Sequence, residues 1–177
     1  CGPQDIFLDP SNTYRLPFDT YKAPDQSPKG YKVRPLKHKE ELDDITRIYQ
    51  NLKMVPLDKE YVWENRKAEE FTYFVAIQDG SDKVLGVAMG ADHQACDERM
   101  SNSCSLWALA VDSQAELPGI GVNLVHHLIQ HYKVKGRDCM DISVMHDNEM
   151  AVGLYEKLGF ERIYVFAAKR RNRINEK

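Results

Sequence analysis

The chain has 177 residues, of which 42% are hydrophobic and 29% are charged, values typical of a single globular domain with little chain left for a second. No run approaches about eighteen apolar residues, which excludes a membrane-spanning helix. A basic segment followed by an apolar one, the pattern of a secretory signal, is not visible either. The net charge of −3 gives no general attraction to nucleic acid or to an anionic membrane.

The first 30 residues differ in composition from the rest because they hold five of the eight prolines. Proline fixes φ and removes a hydrogen-bond donor, so we expect an extended, irregular lead-in over 1–30. Its aromatic and aliphatic residues are too many for a free linker, and part of it should pack against the domain. We place that domain at 31–170 and a basic tail at 171–177.

Regular elements begin directly after the lead-in. A short strand at 31–36 precedes a helix at 39–52, whose apolar residues recur at helical spacing. A second helix follows at 58–68, with an aspartate in the N-cap position. Strands at 71–78 and 83–91 then form a hairpin around a D-G-S-D turn.

The second half of the chain alternates strands and helices. A long apolar strand at 103–112 is followed by a helix at 119–136 and a strand at 139–146. A helix at 148–159 and a last strand at 161–170 complete the order. One crossover in this half and a meander in the first half predict a mixed, mostly antiparallel α/β sheet with helices on both faces.

The segment L-P-G-I-G-V at 117–122 lies between a strand and a helix. Gly119 and Gly121 let the backbone approach a ligand, and free N–H groups at a helix N-terminus suit a pyrophosphate. A dinucleotide-binding turn is disfavoured, because Leu124 occupies the position of the third glycine in the G-x-G-x-x-G pattern. The acidic residue at about the right distance, Asp141, also stands near the start of the next strand rather than at its end. A purely structural turn remains an alternative.

The segment N-E-M-A-V-G-L-Y-E-K-L-G-F at 148–160 combines several distinct features. Asn148 can cap the helix, Ala151 leaves room for close approach, and Tyr155 points outward from the helix. A glycine and a phenylalanine then end the helix and let the chain pack back. An amphipathic helix alone would not need this combination.

Together the two segments resemble the GNAT superfamily of acetyl-CoA-dependent N-acetyltransferases. The resemblance covers about residues 31–170, and the order of elements agrees with that fold. The loop departs from the family pattern, since Glu116 stands where the family has Gln or Arg. Pro118 also lacks an N–H that could contact the pyrophosphate.

The resemblance implies a mechanism by direct transfer. The strands at 105–112 and 139–146 separate, and the pantetheine arm lies in the gap, where a backbone N–H polarises the thioester carbonyl. A neutral amine attacks without an acyl-enzyme, and Tyr155 gives its proton to the leaving thiolate. The alternative for Tyr155 is a core aromatic. The implied acetyl-CoA contacts are Leu109, Ala110, Val111, Gly119, Ile120, Gly121, Val122, Asn148 and Tyr155.

The general base and the acceptor site are open. His146 at the end of its strand is the candidate base, with a structural strand-end histidine as the alternative. Asp92 and His93 follow a strand and are candidates for the acceptor pocket. Trp107 is a further candidate there, although a core position is the favoured interpretation.

Two further patterns are not interpreted as a metal site or a phosphate contact. His127 and His131 stand at i and i+4 but lack a catalytic Glu, and they fall opposite the apolar stripe, so a solvated face is expected. The basic run at 169–173 is interpreted as a charged exit from the last strand rather than a phosphate contact.

The cysteines Cys1, Cys96, Cys104 and Cys139 show neither zinc spacing nor the density of a disulfide scaffold. A reducing, cytoplasmic location is therefore expected. A start at Cys1 rather than Met suggests a piece of a longer protein, with a lipid-acceptor cysteine as the lesser alternative.

A narrower resemblance concerns the segment from 143 to 176, which looks like the acetyltransferase part of bacterial proteins fused to an ATP-grasp ligase that make N-acetylglutaminylglutamine. It implies glutamine or a small glutamine peptide as the amine and a fused ligase as partner, and a homodimer stays open. The rival functions are a non-catalytic acyl-CoA-binding or regulatory domain and a protein acetyltransferase acting on lysine or an N-terminus.

Overall fold

The computed structural model describes residues 11–25, 27–96, 102–145 and 147–164. The strands are β1 (Ser11–Pro17), β2 (Tyr31–Pro35), β3 (Phe71–Gln78), β4 (Val84–Asp92), β5 (Ser103–Val111), β6 (Cys139–Met145) and β7 (Glu161–Ile163). The helices are α1 (Glu41–Asn51), α2 (Lys59–Glu64), α3 (His93–Cys96), α4 (Ile120–Val134) and α5 (Glu149–Lys157), with a 3-10 turn at Phe18–Thr20.

The described strands form one sheet in the order β2-β3-β4-β5-β6-β1-β7. Strands β5 and β6 pair in parallel, and the other neighbouring pairs are antiparallel. Helix α4 makes the crossover between the parallel pair, as expected, because parallel neighbours cannot be joined by a tight turn. The predicted mixed, mostly antiparallel α/β sheet is confirmed.

Helices cover the sheet on both faces, and the alternation of side chains along the strands explains why. Phe74 and Ala88 pack in the cluster that includes α4, whereas Val75 and Val87 pack in the cluster that includes α1. Both clusters are rich in β-branched and aliphatic residues. The strands of the hairpin are therefore buried on both sides, which accounts for their continuous apolar sequence.

Strand β1 overturns the expectation of an irregular lead-in. Residues 11–17 pair with β6 on one side and with β7 on the other, so this segment lies inside the sheet. Tyr14 and Leu16 are buried in the α4 cluster. Pairing is possible because the strand's one proline, Pro17, stands at its end, where a lost N–H donor costs least.

Two predicted elements differ in length. The helix predicted at 58–68 ends at Glu64, and the last strand is described only over Glu161–Ile163, while residues 165–170 lie outside the described part. In the described part of the chain no helix has the length and apolar character needed to cross a membrane.

Candidate active site

Strands β5 and β6 pair only at their beginnings, from Ser103 opposite Cys139 to Ser105 opposite Asp141. Beyond this point they separate, as the resemblance implies for this pair. A cavity of about 210 Å³ lies in the gap. Its lining residues are Ser105, Leu106, Trp107, Asp141, Ile142 and Ser143. We call this gap the cleft.

A bulge in β5 shapes one wall of the cleft. Met89 pairs with Ala108 and Gly90 with Leu106, which leaves Trp107 without a partner in the register. The Trp107 side chain is 60% exposed, so the favoured interpretation as a core residue is wrong. Its ring lies 5.0 Å from that of Phe71, between ring centroids.

One face of the sheet at the cleft is polar. Ser105 and Asp141 alternate with residues of the α4 cluster and therefore project from the opposite face. Arg15, from β1, lies beside Asp141 and donates two hydrogen bonds of 2.7 and 3.0 Å to its carboxylate. Arg15 was not a candidate from the sequence, because residues 1–30 were expected to form an irregular lead-in.

His93 begins α3 and lies against the same polar face. Its Nδ1 is 2.6 Å from the Ser103 hydroxyl, and its Nε2 is 2.6 Å from the Ser105 hydroxyl. Burial lowers the pKa of His93, although the carboxylates of Asp141 and Asp92 act in the opposite direction. The prediction that His93 belongs to the acceptor site fits this position beside Ser105.

Asp92, in contrast, is fully buried and held by two basic side chains. Arg137 donates to its carboxylate at 2.8 and 3.0 Å, and Lys135 lies 2.9 Å away. Burial alone would raise the pKa of Asp92, but these hydrogen bonds outweigh it and lower the pKa to about 2. The carboxylate is closed off from solvent, contrary to the expectation that it lines the acceptor pocket.

The glycine-containing loop leads into α4 as the sequence predicts. Gly119 is the N-cap residue with φ +76°, a left-handed conformation that favours glycine. The Tyr31 hydroxyl donates to the Pro118 carbonyl at 3.2 Å. The Asn123 amide donates at 2.9 Å to both the Tyr31 hydroxyl and the Gly119 carbonyl. Tyr31 and Asn123 thus hold the loop, and neither stood out from sequence alone.

The loop, the end of β5 and helix α5 meet at Gly121. A Cβ atom at this glycine would lie 3.7 Å from both Leu154 and Val111 and 3.8 Å from Leu109, an ordinary contact distance. The first N–H groups of a helix lack intrahelical acceptors, so those at 120–122 can bind an anion. These residues fit the pyrophosphate and pantetheine arm of acetyl-CoA.

The other implied cofactor contacts are less uniform. The side chain of Ala110 is buried in the α1 cluster, on the opposite face from Leu109 and Val111. Ile120 is buried in the α4 cluster, whereas Val122 is partly exposed. Only the main chain of Ala110 and Ile120 is therefore placed to contact a cofactor.

Helix α5 carries Tyr155 at its inner face. Asn148 caps the helix by accepting a hydrogen bond of 3.2 Å from the Ala151 N–H, as predicted. Tyr155 is 6% exposed and packs edge to face on Phe160, with ring centroids 5.6 Å apart. Tyr155 thus lies in the core, as its alternative interpretation expects, and burial raises the pKa of its hydroxyl, which makes it a weaker acid than an exposed tyrosine. His146, the predicted base, lies outside the described residues.

A family model named Acetyltransferase (GNAT) family matches residues 40–160. This chain belongs to the GNAT family. The match includes the cleft-forming end of β5, the loop before α4 and helix α5. Members of this family take the acetyl group from acetyl-CoA, which confirms the prediction of an acetyl-CoA-dependent N-acetyltransferase.

Solved structures of acetyltransferases share the fold of this GNAT domain. The ribosomal-protein-S18-alanine N-acetyltransferase of Escherichia coli is 23% identical, with a TM-score of 0.59 over 76% of this chain and 79% of that one. An aminoglycoside acetyltransferase from an uncultured soil sample is 20% identical, with a TM-score of 0.61 over 77% and 94%. A GCN5-related N-acetyltransferase of Sphaerobacter thermophilus is 15% identical, with a TM-score of 0.66 over 86% and 48%. No curated protein matches the chain.

The histidines on α4 differ from expectation. His127 and His131 are half-buried, and both rings lie about 6 Å from that of Phe74, at 6.0 and 5.9 Å. They turn toward β3 rather than forming a solvated face. Among the described residues no group of three or more His, Cys, Asp or Glu side chains is arranged to hold a metal ion.

Proposed function

We propose that this GNAT domain transfers acetyl from acetyl-CoA to the primary amine of a small molecule, by direct attack in a ternary complex. The observation that carries the proposal is the separation of β5 and β6 into a cleft of about 210 Å³. A cavity of this size has room for an acyl group and the reacting amine. The chain's acidic net charge outside its C-terminal tail remains the argument for a basic peptide as the alternative acceptor.

Each element has a defined role in this proposal. The first N–H groups of α4 bind the pyrophosphate, and the backbone at 109–111 pairs with the pantetheine arm. When bound, acetyl-CoA supplies an activated acyl group on a thiol leaving group. Tyr155, protonated at neutral pH, donates its hydroxyl proton to the leaving sulfur.

The acceptor that we propose to test first is glutamine, through its α-amine. An amino acid carries an ammonium and a carboxylate, and Arg15 and Asp141, which are paired with each other beside the cleft, offer it one group of each sign. Complementary charges fix the orientation of a small ligand more than they add to its affinity. A short glutamine peptide presents the same groups.

The cofactor site is tested by calorimetric titration of acetyl-CoA into the wild type, Gly121→Glu and Gly121→Ala. We expect micromolar binding in the wild type and its loss in G121E, because a carboxylate there repels the pyrophosphate at the helix N-terminus. G121A is the matched control, since its Cβ meets neighbours only at 3.7 Å or more. Absence of binding at millimolar cofactor would favour the non-catalytic domain and implicate Glu116 and Pro118.

The acceptor is tested by measuring thiol release from acetyl-CoA with a panel of amines. The panel contains L-glutamine, a glutamine dipeptide, N-acetylglutamine and a lysine-rich peptide. Release with the first two and none with the blocked N-acetylglutamine supports the proposal. Faster release with the lysine-rich peptide than with either glutamine compound contradicts it and favours a protein acetyltransferase.

A further inference from the structure

His93 is held at both ring nitrogens by serines of β5. Its Nδ1 lies 2.6 Å from Ser103 Oγ and its Nε2 lies 2.6 Å from Ser105 Oγ. A neutral imidazole donates from one nitrogen and accepts at the other. A ring bound in this way has a fixed orientation, which is what a proton acceptor requires.

The two serines differ in what they face. Ser103 is buried, with 1% of its surface exposed, whereas Ser105 lines the cleft. Ser105 is also the last residue of β5 that pairs with β6, opposite Asp141. The chain of hydrogen bonds from His93 therefore reaches the cleft at the point where the strands separate.

We propose that His93 receives the proton of the acceptor amine through the hydroxyl of Ser105. The inference rests on the proposed acetyl transfer to an amine in the cleft. It makes Ser105 the group that contacts the substrate and His93 the proton acceptor behind it. It also assigns the base to His93 instead of His146, the candidate from the sequence.

The hydrogen bonds of His93 define the path of the proton. With its own proton on Nδ1, His93 donates to Ser103 Oγ and accepts from Ser105 at Nε2. The substrate ammonium gives a proton to Ser105 Oγ while the Ser105 hydroxyl proton moves to Nε2, which leaves a neutral amine and an imidazolium. The amine nitrogen bonds to the acetyl carbon as the carbon–sulfur bond breaks.

The other proton transfers return Tyr155 and His93 to their starting protonation states. The thiolate takes the Tyr155 hydroxyl proton, and the second proton of the reacting nitrogen returns to Tyr155. His93 then releases its proton to water. One proton per turnover leaves the protein, as the conversion of an ammonium to an amide requires.

The charges that face His93 come from three elements. Asp141 on β6 and Asp92, the residue before His93 at the end of β4, favour the imidazolium, whereas Arg15 on β1 disfavours it. Both carboxylates are themselves held, Asp141 by Arg15 and Asp92 by Arg137 and Lys135. Burial prevails and lowers the pKa of His93, so the ring is neutral and able to accept a proton at pH 7.

The test compares pH profiles of kcat/KM for the best amine of the panel. In His93→Gln and Ser105→Ala we expect a loss of about 100-fold at neutral pH, the lower end of general-base contributions. The acidic limb that reports His93 should disappear in His93→Gln, while the affinity for acetyl-CoA stays within about twofold. Ser105→Thr keeps the hydroxyl and should restore most of the rate.

His38→Gln serves as the histidine control, because His38 is exposed and lies three residues before α1. A wild-type profile in His93→Gln overturns the relay, as does a limb that is lost only in His146→Gln. A rate lowered equally at every pH indicates a structural role and also overturns it. No turnover in the wild type with any amine overturns the proposed function itself, so the two failures are distinguishable.

Nuclear magnetic resonance of the histidine side chains tests the hydrogen bonds without turnover. We expect the wild type to carry the neutral His93 proton on Nδ1 and Ser105→Ala to change the Nε2 signal. A proton on Nε2 in the wild type would mean that His93 donates to Ser105, which overturns the relay.

Discussion

Arg15 and Asp141 face each other on adjacent antiparallel strands, although 126 positions of sequence separate them. The guanidinium donates to both carboxylate oxygens, in the two-bond geometry that arginine forms with carboxylates. This pair brings the N-terminal strand to the polar face beside the cleft. The first described residues of the chain are therefore part of the candidate site rather than an appendage to it.

Replacing Arg15 by Gln should raise KM for the acceptor about tenfold, which corresponds to about 1.4 kcal/mol of binding free energy. The reason is that Asp141 loses both hydrogen bonds and no longer keeps a fixed position at the cleft. Arg162→Gln is the matched control on the neighbouring strand, because Arg162 is exposed, with a hydrogen bond to Asn12 and a contact with the Tyr164 ring. Equal KM values for the two variants would contradict the assignment.

The two glycines of the loop should respond differently to alanine. Gly119 has φ +76°, where a Cβ is strained, so Gly119→Ala should lower the free energy of unfolding by about 1 kcal/mol. Gly121 has ordinary backbone angles and open contacts, so Gly121→Ala should leave stability nearly unchanged. Chemical denaturation of both variants checks this, and an equal loss in both would be inconsistent with the described loop.

Tyr155→Phe should lower kcat with little change in the affinity for acetyl-CoA, because only the hydroxyl is removed from a packed ring. Since burial raises the pKa of Tyr155, no loss of its proton should appear in the rate profile below about pH 10. Tyr164→Phe, at an exposed position, is the control. An unchanged kcat in Tyr155→Phe would exclude this residue as the acid.

The buried carboxylate of Asp92 should matter for stability rather than for substrate binding. Asp92→Asn leaves Arg137 and Lys135 without their charged partner and should cost about 3 kcal/mol of unfolding free energy. Asp43→Asn, at an exposed ion pair with Lys59, should cost little. A KM effect without a stability effect would contradict this role.

The same carboxylate predicts an acid dependence. The pKa of Asp92 is lowered to about 2 in the folded protein, below its value of about 3.9 in an unfolded chain. The unfolded chain therefore binds the proton first, so this contribution is present above about pH 4 and is lost as the pH falls toward 2. Unfolding curves across this range should show a shallower decline in Asp92→Asn.

Local features were predictable from the sequence. The capped helix with Tyr155, the loop with Gly119 and the strands of the hairpin all depend on residues close together in the chain. Capping, helical spacing and turn residues act over a few positions, and each leaves a readable pattern. The family resemblance also rested on such segments.

The site itself depended on contacts that no local pattern reports. A one-residue bulge in β5 places Trp107 at the surface. His93, at the start of α3, bonds to Ser103 and Ser105 of β5. Asp92 was closed off by basic residues that follow α4 in the chain. Register and burial decide these outcomes, and both are set only when distant strands pair.

The sequence by itself determined the α/β class, the capped helix α5 and the glycine-containing loop before α4, because short-range capping and spacing suffice for these features. Only the tertiary structure decided that residues 11–17 fill a place between β6 and β7, and that Arg15 therefore reaches Asp141. A strand's neighbours are chosen by the free energy of the whole sheet, to which segments far apart in sequence contribute equally.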